Sequence, residues 1–204
     1  MSSPIVLSFD AAWGGSGWAI SDTSGPIVFG SAVPDGDWRW DRARRLVLEL
    51  RQVAQELAAE AGASELRLVV ERAPLRYSWK GRAEGDRRGS DPTSVVRGLS
   101  ELVGAVAVQG VWPGWAYPWD LEPEAWRSWW SLRGKREAVK AYAIRNVEIL
   151  WPWTRPGLAE AGELAGDVAE AILIGAGAAK RFNEGPKGPT RKGGAVAREL
   201  GRRG

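Results

Sequence analysis

The chain has 204 residues, 44% hydrophobic and 26% charged with a net charge of +3, a globular composition large enough for one full core. It contains no cysteine and no histidine, which excludes disulfides, thiolate and imidazole metal ligands, a Ser-His-Asp triad and a histidine base. Any metal must therefore be held by oxygen, which favours Mg²⁺ or Mn²⁺. No apolar run approaches the roughly 18 residues that span a membrane. Residues 1–4 lack the basic and apolar regions of a signal peptide. A cytoplasmic protein with no membrane association is expected, in the host cytoplasm if the chain is phage-encoded.

Residues 4–10 are apolar and β-branched and predict a buried strand ending at Asp10. A Gly-rich turn at 14–17 leads into two further strands, around 18–20 and 27–29, which predict an antiparallel meander. Asp37 is a candidate N-cap for a helix to about Ala61, with apolar Leu46, Leu50, Val53 and Leu57 on one side and Gly62 as its stop. Residues 66–70 predict a fourth strand, ending at Glu71. A long polar loop at 72–92 precedes a second helix, which opens at Asp91-Pro92 and carries Val95, Leu99, Leu102, Val103 and Val106. A fifth strand is predicted at 115–117, then helices at 122–130, 135–150 and 163–182. Three strands, a helix, a strand, a helix, a strand and closing helices predict an α/β domain over 1–182: a five-stranded mixed sheet flanked by helices. Residues 183–204 are a basic Gly/Pro-rich segment, read as a flexible tail. From Lys180 to Gly204 there are eight basic residues against two acidic ones, a net of +6.

Four carboxylates stand where one metal site needs them. Asp10 and Glu71 each end an apolar strand, and Asp167 and Glu170 lie three apart on one face of the last helix. Singly, each has a bland explanation as a turn residue, a solvated rim acid or favourable charge in a first helical turn. Together they would repel one another unless hard divalent cations bind them. That combination predicts metal-dependent phosphodiester chemistry. Glu163, one turn before Asp167, is a reserve ligand.

The element order resembles the ribonuclease-H-like fold, over residues 4–182. An Asp on the first strand, a strand-end Glu before a long loop and Asp-x-x-acidic-Ala on the last helix resemble the RuvC-like Holliday-junction resolvases. So do Arg97-Gly98-Leu99 through Gly104-Ala105-Val106, the pair Tyr117-Pro118, the pair Trp126-Arg127 and the segment Arg133-Gly134-Lys135-Arg136-Glu137. The resemblance implies a homodimer formed through a helix around 94–108, which on residues alone reads equally as core. It implies two Mg²⁺ or Mn²⁺ ions per site, bridged by Asp10, with Glu71 on one ion and Asp167 and Glu170 on the other. It also implies a four-way or branched DNA substrate and phosphate contact by Lys135 or Arg136. The chain departs from the family in having Glu170 where Asp is usual, no histidine in the last helix, and Pro74 where an aromatic wedge is found. Tyr77 or Trp79 is the substitute candidate for that wedge.

The loop at 72–88 holds Arg72, Arg76, Lys80, Arg82, Arg87 and Arg88 against two acids. Beside Glu71 it reads as a phosphate-contacting surface, with Tyr77 and Trp79 available to stack on unpaired bases. Most of the 13 tryptophans read as core, with Trp126, Trp129 and Trp130 as an alternative exposed platform. The segment Gly175-Ala176-Gly177 reads as close helix packing. Three rival readings are a ribonuclease H or broad branched-DNA nuclease, an actin-like ATP-binding domain, and an inactive DNA-binding module. The second lacks its phosphate loop, and the third would be expected to have lost an acid.

Overall fold

The computed structural model describes residues 3–10, 15–32, 39–63, 65–71 and 115–183, without the side chains of 39–46 and of 117. The basic loop at 72–88, the helix expected around 94–108 and the tail beyond 183 lie outside the described residues. The elements in chain order are β1 (Ile5–Asp10), β2 (Ser16–Ser21), β3 (Pro26–Ala32), α1 (Arg39–Glu60), β4 (Leu66–Glu71) and β5 (Trp115–Leu121). Then come α2 (Pro123–Trp129), α3 (Arg136–Leu150), α4 (Arg155–Ala161) and α5 (Ala165–Lys180).

The strands form one sheet in the order β3-β2-β1-β4-β5. β1, β2 and β3 pair antiparallel, and β1–β4 and β4–β5 pair parallel. This is the expected ribonuclease-H-like arrangement, a meander of three strands joined through crossovers to two parallel ones. β5 runs four residues beyond the predicted strand and carries Pro118. It is an edge strand, where the missing N–H of proline is tolerated.

Side-chain alternation divides the core into two layers. Ile5, Leu7, Phe9, Leu68 and Val70 point to one face and pack against Val47, Leu50, Ala54 and Ala58 of α1. Val6 and Val69 point to the other, onto Val168, Ile172 and Leu173 of α5 and Val139, Ala143 and Val147 of α3. Fully burying each aliphatic side chain stabilises by about 1.5–3 kcal/mol, so both layers contribute strongly. α1 ends where predicted. Gly62 takes φ +64, and Ala63 donates its backbone N–H to the carbonyl of Ala58 at 2.7 Å.

α5 is buried at every position from Gly166 to Ala179, as befits a helix between a sheet and another helix. Small residues make that possible. A Cβ at Gly175 would come within 2.6 Å of Ser8 Oγ, and one at Gly177 within 2.6 Å of the Trp129 ring, so both glycines serve close packing. Ser8 Oγ donates to the carbonyl of Ala171 at 2.8 Å, fixing β1 to the middle of α5.

Two expectations about the C-terminal half need correction. The last helix begins at Ala165, not 163, because a 3-10 turn (Gly162–Leu164) intervenes and α4 precedes it. The exposed-platform alternative for the tryptophans fails at Trp126, which is fully buried, while Trp129 and Trp130 are half-buried. The ring centres of Trp130 and Trp151 lie 6.1 Å apart in a T-shaped contact, and the Trp130 indole donates to the carbonyl of Leu173 at 2.9 Å. Large aromatic area and a donor needing a partner draw these residues inward. Among the described residues no helix is long and apolar enough to cross a membrane.

Candidate metal centre

Strand parity decides where the first two acids point. In β1, Val6, Ser8 and Asp10 share the α5 face, and in β4, Val69 and Glu71 share it too. Phe9 pairs with Val70 in parallel register. Asp10 and Glu71 follow these two residues and so end neighbouring strands at one level. α5 crosses this rim with its first turn. Gly17, the register partner of Asp10, lies so close to α5 that a Cβ there would fall 2.1 Å from the backbone oxygen of Asp167.

Asp10, Asp167 and Glu170 are all buried, and each offers a carboxylate oxygen within 4.8 Å of the others. Glu71 stands beside this group and is held by α2. The Trp126 indole donates to Glu71 Oε2 at 2.7 Å, and an Arg127 nitrogen lies 3.8 Å from Oε1. The same Arg127 nitrogen is 3.9 Å from Glu170 Oε1. Lys140 Nζ, from α3, donates to Asp167 Oδ1 at 2.6 Å. Glu163 is exposed in the turn before α5 and is not brought to the group.

Burial and mutual repulsion push these acids up. Asp10 is raised well above the usual carboxylate range, first by burial and then by the charges of Glu170 and Asp167, with Lys140 opposing. Glu71 rises to about 8 through burial and the Asp10 charge, against Arg127, the Trp126 hydrogen bond and Arg136. Glu170 rises to about 7 through burial and Glu71, against a hydrogen bond with Asp10 and the charges of Arg127 and Lys140. Asp10 and Glu170 share a hydrogen bond, so one proton between them relieves part of their repulsion. Among the described residues the cluster carries more carboxylates than the cations Arg127 and Lys140 offset. Glu170 Oε1 is buried with no hydrogen-bond partner, and every donor in the group is a carboxylate oxygen. Both features fit a hard divalent cation.

The remaining expected contacts are placed as follows. Lys135 and Arg136 are exposed at the start of α3, and Arg136 is near enough to Glu71 to lower its pKa. Arg72, Arg76, Tyr77, Trp79, Lys80, Arg82, Arg87 and Arg88 lie outside the described residues. The partners of the acids were not assigned from sequence. Lys140 had a legible signal: it lies three residues before Ala143 and seven before Val147, in the buried stripe of α3. A lysine in such a stripe needs an acid to face.

No family model matches the chain, and no curated protein matches it. Among solved structures it is similar to Thermus thermophilus RuvC in complex with a Holliday junction substrate, at 13% identity and a TM-score of 0.47, over 89% of this chain and 96% of that one. It is also similar to a second Thermus thermophilus RuvC structure, at 15% identity and a TM-score of 0.44, with the same shares covered.

Proposed function

We propose that the chain is a divalent-metal-dependent endodeoxyribonuclease that cuts four-way DNA junctions by paired symmetric nicks. The observation that carries the nuclease reading is the convergence of Asp10, Asp167 and Glu170, from a strand end and a helix, into one buried all-oxygen group. The junction reading rests on the sequence motifs that resemble RuvC-like resolvases. Bound by Asp10, Asp167 and Glu170 with Glu71 beside them, Mg²⁺ or Mn²⁺ would lower the pKa of the attacking water and stabilise the leaving 3′-oxygen.

The chain's own residues do the rest. Asp10 and Asp167 are brought close because Gly17, without a side chain, lets β2 pack directly on the backbone of α5. Trp126 and Arg127 hold the Glu71 carboxylate at the rim. Lys135 and Arg136, exposed at the head of α3, would take backbone phosphates, and the basic loop at 72–88 and the tail would add to that surface. A symmetric dimer through 94–108 would supply the second nick.

The test is Mg²⁺-dependent cleavage of a synthetic four-way junction beside linear duplex and RNA–DNA hybrid. Selective, paired cutting of the junction is expected. Equal cutting of all three removes the junction reading and leaves a ribonuclease-H-like or broad nuclease. A mass that stays monomeric at micromolar protein removes the dimer.

A further inference from the structure

Lys140 is an unusual neighbour for a metal centre. Its ammonium lies 2.6 Å from Asp167 Oδ1, and its side chain is only 23% exposed. Its stem is seated deliberately by the backbone beneath it. A Cβ at Gly166 would fall 2.8 Å from Lys140 Cδ and 3.0 Å from both Cβ and Cγ. α5 therefore gives up a side chain next to Asp167 to lay the lysine stem across its first turn. The seat aims a fixed positive charge at an acid that a divalent cation would also claim.

The charge count gives this consequence. Among the described residues, four carboxylates (Asp10, Glu71, Asp167, Glu170) face two embedded cations, Arg127 and Lys140. Arg127 stays at 3.8–3.9 Å from its acids, beyond hydrogen-bond distance. Lys140 is directly bonded. It satisfies one Asp167 oxygen and reduces the negative potential that a metal would feel.

We infer that Lys140 is a resident counter-cation of the metal centre, which pairs with Asp167 when metal is absent and weakens the binding of divalent cations there. This rests on the proposed metal-dependent reading of the same site. Lys140 is a positioning residue. It stabilises the converged acids in the metal-free chain and competes with the ion for Asp167.

The experiment is a Mn²⁺ titration of the full chain followed by electron paramagnetic resonance, with no substrate and no turnover. Lys140→Met keeps the stem and removes the charge. Expected is Mn²⁺ binding tighter than wild type by about tenfold or more, because a nearby unit charge no longer opposes the ion. The chain has no cysteine, so Lys140→Cys can be aminoethylated uniquely to restore a side chain of lysine length and charge. The unmodified cysteine variant should bind like Lys140→Met, and the aminoethylated one should return toward wild type. A role in packing alone would not follow the charge in this way. Equal or weaker Mn²⁺ binding by Lys140→Met, with wild-type binding intact, overturns the inference and leaves the metal reading standing. Absence of binding to wild type overturns both. If Lys140→Met does not fold, Lys140→Gln is read by the same criteria.

Discussion

The two ends of β4 show opposite solutions to one problem, a charged side chain on the buried face of a sheet. At the amino end, Arg67 lies between two rings, 4.2 Å from the centre of Trp119 and 4.1 Å from that of Phe182, and donates to the carbonyl of Phe182 at 2.6 Å. Burial lowers its pKa, yet aromatic faces and a carbonyl suit a guanidinium. At the carboxyl end, two residues farther along the same face from Val69, Glu71 stands beside Asp10 and Glu170 of the buried acid group. Among the described residues the first end finds its main partners within the chain, although Arg67 Nε is buried without a hydrogen bond. Among the described residues, the second has more negative charge than the cations beside it offset. The structural charge is packed against rings and a carbonyl, and the charges proposed for catalysis stand together with cations too few to balance them among those residues.

Substitutions and pH should separate the two ends. The largest effect is expected from Asp10→Asn, which should reduce metal-dependent cleavage on the order of a thousandfold while the chain stays folded. Circular dichroism and single-turnover cleavage check this, and wild-type rates from folded Asp10→Asn would refute the assigned role. Arg67→Met should do the reverse. It should lower unfolding free energy by about 2–3 kcal/mol in urea, with Mn²⁺ affinity unchanged. Lost metal binding in that variant would mean the two ends are not independent.

The pH response distinguishes them without mutation. Glu71 and Glu170 titrate near 8 and 7 in the folded chain against 4.5 for an ordinary Glu. A raised carboxyl binds more protons folded than unfolded, so its stability is fully present below about pH 4.5 and falls as pH rises through 7 and 8. In EDTA the melting temperature should therefore decline between pH 5 and pH 8.5. Mg²⁺ or Mn²⁺ should oppose the decline, and the difference with and without metal should widen with pH, because binding must displace those protons. A metal-induced shift that is flat with pH would contradict protonated ligands. The smallest effect is expected from Trp126→Phe, which keeps the ring and loses the donor to Glu71. Stability should fall by about 1–2 kcal/mol. Glu71, without that bond, should titrate above its present value of about 8, as ¹³C NMR of labelled Glu can show.

Much of this was legible in the sequence, for physical reasons that differ by element. β1 and β4 are apolar runs ending in an acid, which places Asp10 and Glu71 at strand ends; that they share a face follows from the parallel register of the two strands. α5 is legible because Ala, Ile, Leu and Gly dominate a helix into which only Asp167 and Glu170 intrude. What could not be read is distance between elements. The sequence favoured Glu71 over Glu170 as a ligand, since Glu170 departs from the family pattern. The structure brings Glu170 into the group of three and ties Glu71 to Trp126 and Arg127 beside it. That outcome depends on how α2 docks on α5 and reaches Glu71 with Trp126 and Arg127, which no periodicity within either segment encodes. The short α4 and the 3-10 turn before α5 were not anticipated, because Pro152 and Pro156 punctuate the stretch that holds them. The displacement of Glu163 to the surface follows from that turn.

Gly17 sets a tolerance for the whole centre. It is the register partner of Asp10 and touches the backbone of Asp167, so it serves as the spacer block between two machined surfaces. Its missing methyl group fixes the gauge. Any larger residue there would act as a wedge, lifting the head of α5 from the sheet and opening the acid cluster without changing a single acid. A loss-of-function variant in this chain therefore need not touch a charged residue, and a survey confined to carboxylates would overlook the residue that keeps them in calibration.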